Sequence, residues 1–129
     1  MIPKFAIVAA LLAAAGIAQA RVYELRTYHC YEGRLEALKA RFRNHTIKIF
    51  NRHGIESIGY WVPQDPEKAK NTLVYIVSHP SREEAEQHWK EFGADPEWQK
   101  VRAESEKDGK IVEKVDREFL DPTDFSKLK

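Results

Sequence analysis

A chain of 129 residues, 43% hydrophobic and 32% charged, is sized for one domain with one modest core. Its 21 basic and 20 acidic side chains nearly cancel, so it lacks the cationic excess that nucleic acid or an anionic membrane surface requires of a partner. Cys30 is the single cysteine, which excludes an internal disulfide. The fold must then rest on packing, and burial of Cys30 is a better expectation than pairing between chains.

The first twenty residues differ from the rest. Met1 to Lys4 is a short positive start, Phe5 to Ile17 is an alanine-rich apolar run, and Ala18-Gln19-Ala20 is a small-x-small cleavage pattern. This reads as a signal peptide cleaved after Ala20, which makes the protein exported, either periplasmic or secreted. The apolar run is shorter than the roughly 20 residues a membrane span needs, so no stable membrane insertion is expected after its removal. Of the 21 basic residues only Lys4 lies in this segment, so the mature chain from Arg21 carries 20 of each sign. The expected domain covers 21–120, with a polar tail at 121–129.

Val22 to His29 alternates as a strand, with Tyr23, Leu25 and Thr27 on one face and Val22, Glu24, Arg26 and Tyr28 on the other. Gly33 turns the chain into a helix over 34–53, whose apolar stripe is Leu35, Leu38, Phe42, Ile49 and Phe50. Gly54 supplies its left-handed stop. Ile55 to Val62 is a second strand, ended by Pro63. Asn71 to His79 is rich in β-branched and aromatic residues and reads as a central strand. Ser81 with Glu84 forms a capping box for the next helix, whose inward positions are Ala85, Trp89 and Phe92. Asp95 and Pro96 restart the helix, with Trp98 and Val101 facing inward and Gly109 ending it. Ile111 to Leu120 is the last strand.

The order βαββαβ, with a split second helix, is the ferredoxin-like order of an α+β subunit. It predicts one antiparallel sheet with helices on one face. The other face has no cover within the chain, so a homodimer that buries two open faces is expected.

The stretches "VYELRTYHCYEGRLEALKARF", "HGIESIGYWVP", "LVYIVSHPSREEAEQHWKEFGADPEWQKVR" and "VEKVDREFLDPTDFS" resemble the NIPSNAP family over nearly the whole mature chain. The resemblance implies a dimeric α+β barrel, in which two ferredoxin-like subunits pack sheet to sheet. It implies no settled catalytic residues. The family's eukaryotic members are mitochondrial, and the export signal here departs from them, so their organelle roles are not carried over. Cofactor-independent monooxygenases, haem-degrading enzymes and small isomerases share the barrel by fold-level analogy alone.

The site candidates follow from side chains out of pattern. His45 falls on the apolar stripe between Phe42 and Ile49, where it is either a packed boundary histidine or a proton carrier in a pocket. His53, just before Gly54, suits a helix C-terminus. Tyr60 and Trp61 point to opposite faces. Ile58, Tyr60 and Val62 suit the helix side, leaving Ser57, Gly59 and Trp61 toward the cleft, where glycine beside tryptophan leaves room for a flat ligand. On a central first strand Glu24, Arg26 and Tyr28 would point into the barrel. There Glu24 and Arg26 either pair, or Arg26 contacts an anionic ligand that Tyr28 orients. His79 and His88 read as structural first, with His79 a secondary ligand contact. Histidine spacing offers no metal motif, and no particular cofactor is implied. The sequence reading is therefore a homodimer that binds a small flat or aromatic molecule. Monooxygenase- or isomerase-like chemistry would use His45 for protons, Arg26 for an anion and Trp61 for stacking. The alternative is a non-catalytic protein-interaction module.

Overall fold

Alternation in the first segment produces strand β1, Val22–Cys30, which lies inside a four-stranded antiparallel sheet of order β2-β3-β1-β4. The partners are β2 (Glu56–Trp61), β3 (Thr72–His79) and β4 (Val112–Leu120). The computed structural model describes residues 21–129; the expected export segment and its cleavage point lie outside the described residues. Both β1 and β3 are central, and the strand order is the ferredoxin-like one. Among the described residues no helix is long and apolar enough to cross a membrane.

Helices α3 (Arg82–Ala94) and α4 (Pro96–Ser105) begin where their caps predict. Ser81 Oγ accepts from the Glu84 N–H at 3.1 Å, and Asp95 Oδ1 accepts from the Glu97 N–H at 2.8 Å. His53 closes the preceding helix, and its ring meets the Asp95 carboxylate at 2.6 Å, which ties that helix end to the α3–α4 corner. Gly54 follows at φ +75°, the left-handed conformation glycine tolerates.

The helix expected over 34–53 is not one straight α-helix. It is α1 (Leu35–Arg41), a π-helical turn (Phe42–Thr46) and α2 (Ile47–Arg52). The π turn inserts one extra residue, so the buried stripe runs Leu35, Leu38, Phe42, Thr46, Ile49 and Phe50. Thr46, not His45, takes the inward position, and its hydroxyl donates to the Arg41 carbonyl at 3.2 Å. His45 is exposed, which corrects its expected place on the apolar stripe.

A second irregularity lies in β2. Its register against β3 shifts between Ser57 and Gly59, a bulge centred on Ile58. Ser57 thereby joins Tyr60 on the helix side, and their hydroxyls meet at 2.8 Å. Only Gly59 and Trp61 keep the open face expected for all three. The room beside Gly59 is filled by Trp61 itself, because a Cβ on Gly59 would lie 2.5 Å from the indole ring.

The register of β1 against β3 decides the orientation of the polar set. Glu24 opposes Val77, Arg26 opposes Tyr75 and Tyr28 opposes Leu73, all on the helix side. Glu24, Arg26 and Tyr28 therefore face the helices, and Tyr23, Leu25 and Thr27 face the open side. The core between the layers is Leu38, Ile49, Phe50, Tyr75, Phe92 and their neighbours, with Cys30 buried among them as a free thiol.

The π turn makes a contrast between adjacent positions. Thr46→Val should cost about 1 kcal/mol, because it leaves the Arg41 carbonyl without that partner. His45→Ala should stay within about 0.5 kcal/mol. Urea unfolding of both variants checks this; a His45 that packed inward would give the reverse order.

Candidate functional site

The centre of the helix–sheet layer is a polar network built on a fully buried carboxylate, Glu24. Its Oε1 accepts from Trp89 Nε1 at 2.7 Å and His79 Nε2 at 3.1 Å. Its Oε2 accepts from Arg26 Nη1 at 2.6 Å and Arg117 Nε at 3.1 Å. Burial pushes the Glu24 carboxyl up, but the hydrogen bonds from His79, Trp89 and Arg26, with the Arg26 charge, outweigh it and bring its pKa to about 2. The carboxylate stays ionised, so His79 donates from Nε2. Its Nδ1 is buried without a partner among the described residues.

Arg26 is engaged on every side. Besides Glu24, its Nε donates to Tyr75 Oη at 2.9 Å, and its guanidinium lies 4.2 Å from the centre of the Trp89 ring. Burial works against its charge, but Tyr28, Tyr75 and Glu24 overcome that and hold its pKa above the usual arginine value. Tyr75 Oη donates onward to Tyr28 Oη at 2.8 Å. Burial, then Tyr28, raises the Tyr75 phenol well above its ordinary range. Tyr60 stacks on Tyr75 at 5.2 Å between ring centres, and burial pushes its phenol up to about 12 despite the Ser57 hydrogen bond. At neutral pH Tyr60 and Tyr75 are therefore hydrogen-bonding phenols rather than bases.

Beside the network, α1 and the π turn stand off from the ends of β2 and β3. The gap is an apolar cleft of ≈ 290 Å³. Phe42, Ile47, Tyr60, Val62 and Leu73 line it, with Trp61, Lys39 and Arg43 completing the lining. Trp61 is 51% exposed. Aromatic walls with a few polar groups at the edge are the chemistry of a small-molecule site.

The structure brings together Arg26, Tyr28 and His79 in the network and places Trp61 at the apolar cleft. It places His45 elsewhere, on a shallow surface cleft with Asn44 and Glu104. Three network members carried no signal toward this site in the sequence: Trp89 reads as an inward helix position, Tyr75 as one residue of a central strand, and Arg117 as one of the last strand. The alternating Glu24, Arg26 and Tyr28 were the available clue. Among the described residues no group of three or more His, Cys, Asp or Glu is arranged to hold a metal ion.

The lowered Glu24 pKa makes a pH prediction. A carboxyl whose folded pKa lies below its unfolded one stabilises the fold above the unfolded value, 4.5, and loses that contribution as pH falls toward about 2. The loss should be about 3 kcal/mol. Glu24→Gln should flatten that acid limb and lower stability at pH 7 by about 3 kcal/mol, because Arg26 and Arg117 lose their counter-charge. Denaturant midpoints measured from pH 2 to pH 7 on both proteins check it.

A family model described as NIPSNAP matches residues 23–127. No curated protein sequence matches the chain. Among solved structures, a NIPSNAP family protein with unknown function from Agrobacterium tumefaciens str. C58 superposes with TM-score 0.73 at 24% identity, covering 86% of this chain and 96% of that one. An uncharacterized NIPSNAP-like domain protein from Burkholderia xenovorans gives TM-score 0.71 at 19% identity, covering 84% and 90%. A monooxygenase from Streptomyces coelicolor, in complex with nanaomycin D, gives TM-score 0.56 at 15% identity, covering 81% and 89%. The monooxygenase shares the fold alone at that distance. The match across nearly all the described residues, with the ferredoxin-like sheet order, makes this chain a member of the NIPSNAP family.

Proposed function

We propose that this NIPSNAP protein is an exported homodimer that binds a small, flat or aromatic, mostly apolar molecule in the cleft between the π turn and β2. The observation that carries the reading is the cleft itself: Phe42 and Tyr60 offer two aromatic surfaces, with Ile47, Val62 and Leu73 beside them, to a space open to solvent. The monooxygenase that shares its fold was solved with a bound small molecule, which agrees with a ligand site in this architecture. The dimer is supported by the open sheet face, where Leu25, Val74, Ile76 and Trp61 have no helix layer over them. Export rests on the leader pattern of residues 1–20.

Binding is favoured over catalysis. A phenol with a pKa of about 12 at Tyr60 donates a hydrogen bond but does not take a proton at neutral pH. His45 lies outside this cleft. Arg26, Tyr28 and His79 act from behind, fixing Tyr75 and through it the Tyr60 wall. A second reading, a module that docks on another exported protein, has Phe125 for support, 83% exposed on the tail.

Native mass spectrometry of the protein from its own host should show a dimer carrying a small molecule. With the empty protein, menadione as a flat probe should quench tryptophan fluorescence saturably. Tyr60→Leu should weaken binding roughly 10-fold, the scale of one lost aromatic contact. Ile47→Trp should fill the cleft and abolish binding. An empty protein that no flat probe occupies would overturn the reading. Ile76→Lys on the open face should convert dimer to monomer in sedimentation.

A further inference from the structure

The opposite flank of α1 holds a buried cation that the network does not use. Arg41 is 6% exposed and ends α1 on the side away from Phe42 and Tyr60. Its Nη1 donates to Ser105 Oγ at 3.2 Å, and its guanidinium lies 5.0 Å from the centre of the Trp98 ring. The carboxylate nearest it, Glu106 Oε1, is 3.7 Å away, beyond hydrogen-bond distance. That same oxygen lies 3.6 Å from Arg102 Nε, so one loosely held carboxylate serves two arginines. Arg41 Nε is buried without a hydrogen-bond partner among the described residues. A buried guanidinium with an unused donor and half a counter-charge is incomplete by the ordinary rules for buried ions.

Arg41 forms one wall of a cleft of ≈ 270 Å³ between α4 and the β1–β4 side of the sheet. Tyr28, Trp98, Val112 and Val115 give that cleft apolar walls, and Arg102 and Lys114 add two more cations. Glu106 and Glu113 also border it, so its three cations exceed its two carboxylates by one charge, which matches a singly charged anion. The guanidinium fork matches the two oxygens of a carboxylate, and the walls match an apolar body.

We propose that this cleft binds a small monocarboxylate with an apolar or aromatic body. Arg41 takes the carboxylate, and Trp98 and Val115 take the body. The site is separate from the cleft at Trp61, on the other side of α1, and does not depend on what that cleft binds.

The test uses the full mature protein labelled with 15N, benzoate as the probe, and the Arg41 Nε–Hε cross-peak as the readout. Benzoate should shift that peak along a saturable curve, half-complete below about 10 mM. Inorganic phosphate at the same concentration should not. Arg41→Lys should remove the saturable response from the remaining cleft signals. Because Arg41 is buried and its replacement could unfold the chain, Val115→Trp is the second variant. Val115 is 42% exposed, so the larger side chain should fill the cleft, leave the urea midpoint within error and abolish the benzoate response. A shift that stays linear in benzoate overturns the site, as does one that survives Val115→Trp. Equal response to phosphate overturns the carboxylate assignment. A menadione shift at Arg41 would overturn the separation of the two clefts.

Discussion

The buried carboxylate of Glu24 is the constraint on which the layer geometry depends. Taking a carboxylate fully out of water costs several kcal/mol unless its lone pairs are answered. Here four donors answer them, and they come from different parts of the fold: Arg26 from β1 itself, His79 from the end of β3, Trp89 from α3 and Arg117 from β4. A shift of α3 along the sheet would break the Trp89 contact, and a slip of β4 would break the Arg117 contact. Either would leave charge uncompensated in a low dielectric, where the penalty is largest. Hydrophobic contacts among Phe50, Phe92 and Tyr75 supply most of the burial, but they are less particular about position. The carboxylate selects one arrangement among several that would pack.

This has a consequence for where a ligand can sit. A network whose donors are nearly all paired leaves nothing for a substrate to satisfy. Arg26 is held by Glu24, Tyr75 and the face of Trp89, so an anion could reach it only by displacing a carboxylate already in place. Space is left at the flanks of α1 instead. The π turn is what shapes them, because the extra residue carries Thr46 inward and leaves Lys39, Phe42, Arg43 and Ile47 along the cleft toward β2. A π turn near a binding cleft is a common association, with a plain mechanical cause: it widens one turn of helix without ending it.

The element order, both caps of the second helical region, the Gly54 stop and the central position of β3 were legible in the sequence. Each depends on a local signal, such as Ser81 with Glu84 or Asp95 with Pro96, and local signals survive folding. The two places where the reading failed share one physical feature: a local irregularity that changes which way a neighbouring residue faces and leaves Ile49, Phe50, Tyr60 and Trp61 where they were expected. Nothing at Phe42–Thr46 distinguishes five residues of π-helix from α-helix in advance, so counting by threes and fours put His45 inside. Nothing at Ile58 marks a bulge, so counting by twos put Ser57 on the wrong face. The side chosen by Glu24, Arg26 and Tyr28 was hidden differently. Both faces of β3 are apolar, with Leu73, Tyr75 and Val77 on one and Val74 and Ile76 on the other, so hydrophobic parity could not say which face met the helices. What decided it was the indole N–H of Trp89, a donor that reads as core bulk in the sequence.

Glu24 and Arg41 show how one rule gives opposite results on the two sides of the molecule. Both are charged and both are buried. Glu24 receives four short contacts at 2.6 to 3.1 Å, and its ionised form is held firmly by them. Arg41 makes one neutral hydrogen bond, to Ser105, and faces a shared carboxylate at 3.7 Å. Burial, which Glu106 only partly offsets and the neighbouring Arg102 reinforces, pulls its pKa below the usual arginine value. A structural arginine needed only to join α1 to α4 would be served as well by tight pairing with Glu106, and the chain does not provide that. The difference in how completely two buried charges are answered therefore separates the framework of this fold from the part of it left open to a partner.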